Sequence, residues 1–259
     1  MNRNDISAYW DAKAEALKTD PSATMKDVIL RSLEIEAIGR RLRTDDDLLD
    51  VGGGNAFAGI QWAQHCRTVH VVDFSEKMVA YGREAVAAAG AANVQTERGS
   101  VLELENFAGR FSAVSCIRVL INLPEREEQL RGLDQLAACV APGGRLFLIE
   151  GLEEPFAAMN AMRKTMDLPA IPLDWHNRLL PRQALEQRLE RELKIEERVD
   201  FGEYYFLSRV LHPLLVAPEE PTFQGRCNQE ARRLWQAGVA QGRFADISTL
   251  VLYVCSRPK

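Results

Sequence analysis

The chain predicts an α/β fold with a mostly parallel sheet, and three observations carry that expectation. Short apolar segments, at 48–51 and 69–73 among others, alternate with helix-length segments whose apolar residues recur at helical spacing. The first of these strands runs into Gly52, Gly53 and Gly54, and the second ends in Asp73 about 20 positions later, the arrangement of a strand–turn–helix–strand unit. A length of 259 residues with 46% hydrophobic and 27% charged residues suits one large α/β domain with added elements.

Residues 1–40 read as two helices, one through Ile6, Ser7, Ala8, Tyr9 and Trp10, and one with apolar positions Met25, Val28, Ile29, Leu33 and Ile38. They precede the first strand, so they are expected to cover the mouth of a site at the strand ends. Helices follow at 56–66, at 75–89 with Ser75 as N-cap and Gly90 as terminator, and at 125–140. In the last of these, Leu130, Leu133, Leu136, Ala137 and Val140 form an ordinary core stripe. Such alternation implies parallel strands joined by right-handed crossovers. After Glu150 the pattern changes to a Met-rich helix at 155–168, a proline-punctuated loop at 169–177 and a charged amphipathic helix at 181–193. Two more strands are expected at 194–206 and 249–256. About 40 residues separate them where a hairpin needs two to five, and an insertion of that length is usually functional. No repeat or flexible linker interrupts the chain. The expected organisation is a helical lid at 1–44, a cofactor-binding core at 45–150, and a remainder at 151–259 that completes the same domain, with substrate-cap insertions at 151–180 and 207–248.

Glycines at the strand–helix turn let backbone approach a ligand closely. Asp73, returning at the tip of the neighbouring strand, is placed to accept hydrogen bonds from both hydroxyls of a ribose, so the ligand carries an adenosine. Asp50 lies two residues before the glycines, where a carboxylate repels a pyrophosphate and suits a cation. Phe57 stands where a dinucleotide fingerprint has glycine or alanine. Both residues disfavour a nicotinamide dinucleotide.

Further motifs come in a fixed order. Asp73, Phe74 and Ser75 follow the second strand; Arg98, Gly99, Ser100 and Val101 follow the third; Phe111 to Leu120 holds an apolar strand with its loop; and Pro142, Gly143 and Gly144 precede the strand of Leu146, Phe147, Leu148 and Ile149. In this order the chain resembles the class I S-adenosylmethionine-dependent methyltransferases, strongly over 45–150. The resemblance implies a Rossmann-like seven-stranded, mostly parallel sheet with an antiparallel final strand, plus helical cap elements. It also implies S-adenosylmethionine as cofactor, held by Asp50, Gly52, Gly54, Asp73, Phe74, Ser75, Met78, Ser100, Val101, Cys116 and Arg118. Two positions depart from the family pattern. Ser100 replaces an aspartate that meets the adenine amino group in many relatives, and Ala56 replaces a common glycine.

A net charge of −5 argues against a polyanionic substrate, since nucleic-acid binding rests mainly on neutralising phosphates. No apolar run reaches membrane-spanning length, and the first residues lack the apolar core of a signal peptide, so a cytoplasmic protein is expected. Cys66, Cys116, Cys139, Cys227 and Cys255 have no metal-ligand spacing and read as reduced thiols. Glu150 and Asp174 lack the paired Asp–Asn arrangement that a magnesium site would need, so no metal is expected. A homodimer is compatible with the sequence, which does not decide it.

Methyl transfer from a sulfonium needs in-line placement of the nucleophile and exclusion of water. A hydroxyl or protonated amine acceptor also needs a general base. His65 and His70 fall in a helix end and a strand and read as structural. His176, beside Asp174, Trp175 and Asn177 in the loop after the fifth strand, is the favoured base, and His212 the second candidate; either residue equally suits a structural hydrogen bond. Tyr9 and Trp10 either close over the methionine end of the cofactor, with cation–π attraction to the sulfonium, or anchor their helix. Arg118 either pairs with the cofactor carboxylate or with Glu150. Asn122 either orients an acceptor hydroxyl or caps the helix after Pro124. Arg209, Arg226, Asn228 and Arg233 in the late insertion read either as anion or sugar ligands or as solvated surface. More loosely, the segment from Phe206 to Pro221 resembles methyltransferases encoded with bacterial polysaccharide or secondary-metabolite enzymes. The expected function is methylation of a small polar acceptor, O-directed and on a saccharide-like or natural-product substrate. The alternatives are N-methylation of a small amine and a non-catalytic S-adenosylmethionine-binding regulatory protein.

Overall fold

The computed structural model describes residues 2–259. Seven strands, β1 (Asp47–Val51), β2 (Thr68–Asp73), β3 (Val94–Arg98), β4 (Phe111–Ile117), β5 (Val140–Gly151), β6 (Lys194–Asp200) and β7 (Leu250–Ser256), form one sheet in the order β3-β2-β1-β4-β5-β7-β6. The first five are parallel, and β7 runs antiparallel to both β5 and β6. The order in which successive strands are added reverses between β1 and β4, which opens a crevice at the carboxyl ends of those strands.

Alternate residues of each strand enter opposite layers, so both faces are buried and the strands read as continuous apolar runs. Leu49, Val51, Val72, Val114 and Leu148 pack on one side with Leu133, Leu136, Leu185 and Leu189. These leucines come from α5 (Arg126–Cys139) and α7 (Arg182–Leu189). Leu48, Val69, Val71, Phe147 and Ile149 pack on the other side with Leu30, Leu33, Trp62 and Met159. Those residues lie on α2 (Val28–Gly39), α3 (Phe57–Trp62) and α6 (Glu153–Thr165). The remaining core helix, α4 (Glu76–Ala89), starts where Ser75 Oγ accepts from Met78 N at 3.1 Å and ends at Gly90 with φ 63°, as its sequence implies. Ahead of the sheet, α1 (Arg3–Leu17) lies against α4.

One element departs from its sequence pattern. The aromatic run after Asp200 reads as a continuation of the strand, but β6 stops there and the chain turns helical through α8 (Gly202–Tyr205), a π-turn at Phe206–Leu211 and α9 (His212–Val216). Two local features decide it. Asp200 Oδ1 accepts from Gly202 N at 2.9 Å, and a Cβ at Gly202 would run into the Phe244 backbone. Phe201, Tyr204, Tyr205 and Ser208 are then buried together at helical spacing. Further along the insertion, α10 (Arg226–Ala237) packs back on the core, with Trp235 stacked 5.5 Å from Phe201.

Glu150, at the end of β5, is fully buried and accepts from the backbone N–H groups of Val119 at 2.9 Å, Leu120 at 2.7 Å and Ile121 at 3.2 Å. It thereby shapes the loop after β4. Glu150→Gln replaces one acceptor by a donor against these N–H groups and is expected to cost about 2–4 kcal/mol of unfolding free energy, read from urea titration. An unchanged urea midpoint would remove that role.

Candidate functional site

A cavity of about 690 Å³ opens at the crevice between the carboxyl ends of β1 and β4. Its floor is the turn after β1. Gly52 and Gly54 have φ of +73° and +59°, a region that costs other L-residues about 1–2 kcal/mol. The first obstacle to a side chain at these glycines is the protein itself. A Cβ at Gly52 would strike Val119, one at Gly53 would strike Asp50, and one at Gly54 would lie 3.0 Å from Thr24 Cγ2. Ala56 also adopts φ 60°, a left-handed conformation that glycine takes more readily.

Two buried carboxylates face each other across the turn. Asp73 Oδ2 accepts from Gly54 N and Oδ1 from Ser75 N, both at 2.9 Å, and each oxygen keeps a lone pair for a ribose hydroxyl. Asp50 Oδ1 accepts from Ser115 Oγ at 2.8 Å, while its Oδ2 has no partner among the described residues. Burial pushes both carboxyls up to about 6, partly offset at Asp73 by the two backbone N–H groups and at Asp50 by Ser115. A buried carboxylate with an orphaned oxygen, beside a second aspartate, suits a ligand with both a cationic centre and hydroxyl donors.

Phe74, Met78, Ser100 and Val101 line the same cavity, as expected of them. Two other cofactor expectations are corrected. Ser75 is off the lining, because its hydroxyl is used as the α4 cap and donates to Asp11 Oδ1 at 2.6 Å. Cys116 is fully buried with its side chain in the apolar layer that contains Leu133 and Leu136, so β4 turns it away from the crevice.

Arg118, in the left-handed region at φ 55°, reaches the cavity and does not pair with Glu150. Its Nε donates to Glu34 Oε1 at 3.0 Å, because Glu150 is taken up by backbone N–H groups. Glu34 is completely buried and its Oε2 is unpartnered. Neighbouring Arg31 is buried too, and desolvation with the Arg118 charge draws its guanidinium down to about 10. Sequence reasoning missed this pair on an otherwise apolar helix. The signal was two charged residues, Arg31 and Glu34, sharing the inward face at i, i+3.

His176 also lines the cavity and is buried under Tyr9, with ring centroids 4.4 Å apart and planes at 27°. Trp10 and Trp175 meet His176 edge-on at 5.8 and 5.6 Å. Burial lowers the imidazole pKa from 6.5, with Asp174 and Lys13 pulling in opposite directions. Its Nδ1 is sealed from solvent without a hydrogen bond, which leaves Nε2 as the nitrogen open to the cavity. His212 lies elsewhere. It is buried off the lining, with Nδ1 donating to Asn228 Oδ1 at 3.0 Å, and Asn228 in turn donates to the Tyr204 hydroxyl at 2.8 Å. A catalytic role for His212 is thereby withdrawn, since its ring is committed to holding the insertion together. Asn122 lines the cavity, but its amide donates to Arg118 O at 2.8 Å. Arg226 and Arg233 are exposed, whereas Arg209 lines the cavity.

The N-terminal segment is tied to the glycine turn by Asn55, whose amide donates to Lys18 O at 2.9 Å and Asp20 O at 3.1 Å. Trp10 packs with Ala14, Ala23 and Met78, while Tyr9 covers His176. Removing residues 1–20 is expected to weaken S-adenosylhomocysteine binding about tenfold or more by calorimetry. Undiminished affinity would show that the helix does not close the site.

Comparison with known proteins agrees with this geometry. Residues 48–144 match the family described as "Methyltransferase domain". A curated relative, 27-O-demethylrifamycin SV methyltransferase of Amycolatopsis mediterranei (strain S699), is 31% identical over 152 residues. Residues 48–144 thus carry a methyltransferase domain, and the curated relative is itself a methyltransferase. The match with the curated relative takes in 58% of this chain and 52% of that protein, so the chain spans about half the length of the curated relative. Among solved structures, geranyl diphosphate C-methyltransferase from Streptomyces coelicolor A3(2) has a TM-score of 0.61 at 14% identity, over 98% of this chain and 97% of that one. The cyclase SpnF has a TM-score of 0.56 at 15% identity, over 86% and 79%. At these identities the likeness is one of fold. The methyltransferases use S-adenosylmethionine, and the paired Asp50 and Asp73 at the glycine turn fit its sulfonium-bearing amino-acid end and its ribose.

Proposed function

We propose that this methyltransferase moves a methyl group to an oxygen of a small saccharide-like or natural-product acceptor, with His176 as the base. The observation that carries the reading is a buried, Tyr9-covered imidazole with a depressed pKa in the same cavity as Asp50 and Asp73. When bound, the donor supplies an electrophilic methyl on a sulfonium. The chain's own contribution is positional: the glycine turn, Asp50 and Asp73 hold the donor, and Tyr9, Trp10 and the 167–177 loop exclude water. His176 Nε2, neutral near pH 7, takes the proton of an acceptor hydroxyl. The curated relative is named as a methyltransferase of 27-O-demethylrifamycin SV, which supports an oxygen acceptor. SpnF is a reminder that this fold also serves other chemistry, so the assignment rests on the site. A net charge of −5 favours a small acceptor over a nucleic acid, and no helix among the described residues is long and apolar enough to cross a membrane. In this reading the protein works in the cytoplasm, and each chain carries a whole cavity whether or not it pairs with a second copy.

Calorimetry with S-adenosylhomocysteine and with NAD tests the donor, and incubation of labelled S-adenosylmethionine with a metabolite extract tests the transfer. Heat with the former compound alone and label in a small product are expected. Tight NAD binding without S-adenosylhomocysteine binding overturns the reading, whereas donor binding without labelled product favours a non-catalytic role.

A further inference from the structure

We infer that the acceptor carries an oxyanion, a carboxylate or a phosphate, which Arg209 receives at the wall of the cavity; this rests on the methyl-transfer reading above. Three guanidiniums, Arg31, Arg118 and Arg209, share that wall with two carboxylates, Asp27 and Glu34. Arg118 is committed to Glu34 and to Thr24 O, and Arg31 to Pro21 O. Asp27 is engaged on both oxygens: Oδ1 accepts from Leu30 N at 3.0 Å and from the Tyr204 hydroxyl at 2.7 Å, and Oδ2 accepts from Arg209 Nη2. Among the described residues, the Nε and Nη1 donors of Arg209 have no acceptor, and neither do Nη2 of Arg118 and Nε and Nη2 of Arg31; of the three, Arg209 is the one seated against Phe223 and two tyrosine rings.

Arg209 is also held rigidly. Its guanidinium lies over the rings of Phe223, Tyr205 and Tyr204, at 4.9, 5.9 and 6.0 Å from their centroids. Its backbone carbonyl accepts from Arg163, whose Nε donates to Pro169 O at 2.8 Å and so joins the Arg209 turn to the segment leading to His176. That turn is π-helical, a form that often marks functional positions. A pinned cation with free donors, bounded by aromatic faces, complements an anionic group on an aromatic or otherwise apolar body. Arg226 and Arg233, the other arginines of the insertion that sequence reasoning singled out, are solvent-exposed, and Arg233 is paired with Glu230.

The test is calorimetry on the full chain saturated with S-adenosylhomocysteine, titrated with 4-hydroxybenzoate, phenyl phosphate and the neutral 4-hydroxybenzamide. The anionic probes are expected to bind about tenfold or more tightly than the amide. The tighter of the two tells a carboxylate from a phosphate acceptor. Arg209→Gln should remove that preference while amide affinity stays within about twofold, and Arg209→Lys should keep part of it. Because Arg209→Gln frees the Asp27 carboxylate, the wild-type comparison serves if that variant does not fold. Equal binding of charged and neutral probes, no heat from either anion, or a preference that survives Arg209→Gln overturns the inference. Failure of S-adenosylhomocysteine itself to bind would strike the methyl-transfer reading instead.

Discussion

His176→Ala is expected to lower kcat for methyl transfer by about 10²–10⁴-fold, the range a positioned general base supplies. The dissociation constant for S-adenosylhomocysteine should stay within about threefold, since no hydrogen bond among the described residues joins His176 to the Asp50 or Asp73 carboxylate. An acceptor hydroxyl must shed its proton as the new bond forms, and a neutral imidazole whose Nδ1 is sealed offers Nε2 for that task. The pH profile gives an independent readout. Burial depresses the imidazole pKa below 6.5, so the base is already neutral at pH 7. The rate should therefore fall as pH drops through that lowered pKa, with the acid limb below 6.5 rather than at it. In His176→Gln, which keeps a hydrogen-bonding side chain under Tyr9 but cannot take the proton, the same limb should vanish. Single-turnover assays with labelled donor across pH 5 to 8 measure both effects. Unchanged turnover in either variant would leave His176 as a packing residue beneath the lid.

Why part of the site was legible beforehand follows from where its chemistry is written. Gly52, Gly54 and Asp73 act through local backbone geometry, a turn and a strand tip, and local geometry leaves a mark at fixed spacing. Ser75 was found as an N-cap for the same reason, and its mistaken place among the cofactor contacts came from adjacency to Asp73 and Phe74. Cys116 failed because strand alternation decides which wall a side chain faces, and the motif gives the strand without its rotation. Tertiary choices were invisible. Whether Arg118 meets Glu150 or Glu34 depends on the backbone N–H groups that claim Glu150, and those belong to a loop of irregular geometry. His212 resembled a base only in isolation, since its partner Asn228 lies 16 residues away on another helix. The strand expected through residue 206 followed β-propensity of aromatic residues, which yielded to burial on a helical face.

Asp50→Asn should make the ligand-free protein more stable and the donor bind more weakly. The Asp50 carboxyl is fully buried, with one oxygen hydrogen-bonded and the other bare, and its pKa rises from 3.8 to about 6. For an acid raised on folding, the folded state holds its proton more tightly than the unfolded one. Its stabilising contribution is present below about pH 4 and lost as pH rises toward 6. A rise of that size corresponds to about 3 kcal/mol of strain at neutral pH. Asn keeps the acceptor for Ser115 and removes the charge, so Tm of the ligand-free variant should exceed wild type at pH 7.5 by roughly 5–10 °C. Below pH 4 the two should coincide. The Coulombic push from Asp73 is already part of that pKa rise. In the proposed reading a cationic donor bound beside the Asp50 carboxylate offsets this cost by charge attraction. Affinity for S-adenosylmethionine should fall about 10²-fold in the variant, and less for the uncharged-sulfur product. Donor binding to wild type should tighten between pH 5 and 7 as Asp50 and Asp73 give up their protons, and that slope should be reduced in Asp50→Asn to the share that Asp73 supplies. A variant that melts earlier at pH 7.5, or whose donor affinity keeps the wild-type pH slope, would mean that Asp50 serves the turn and not the ligand.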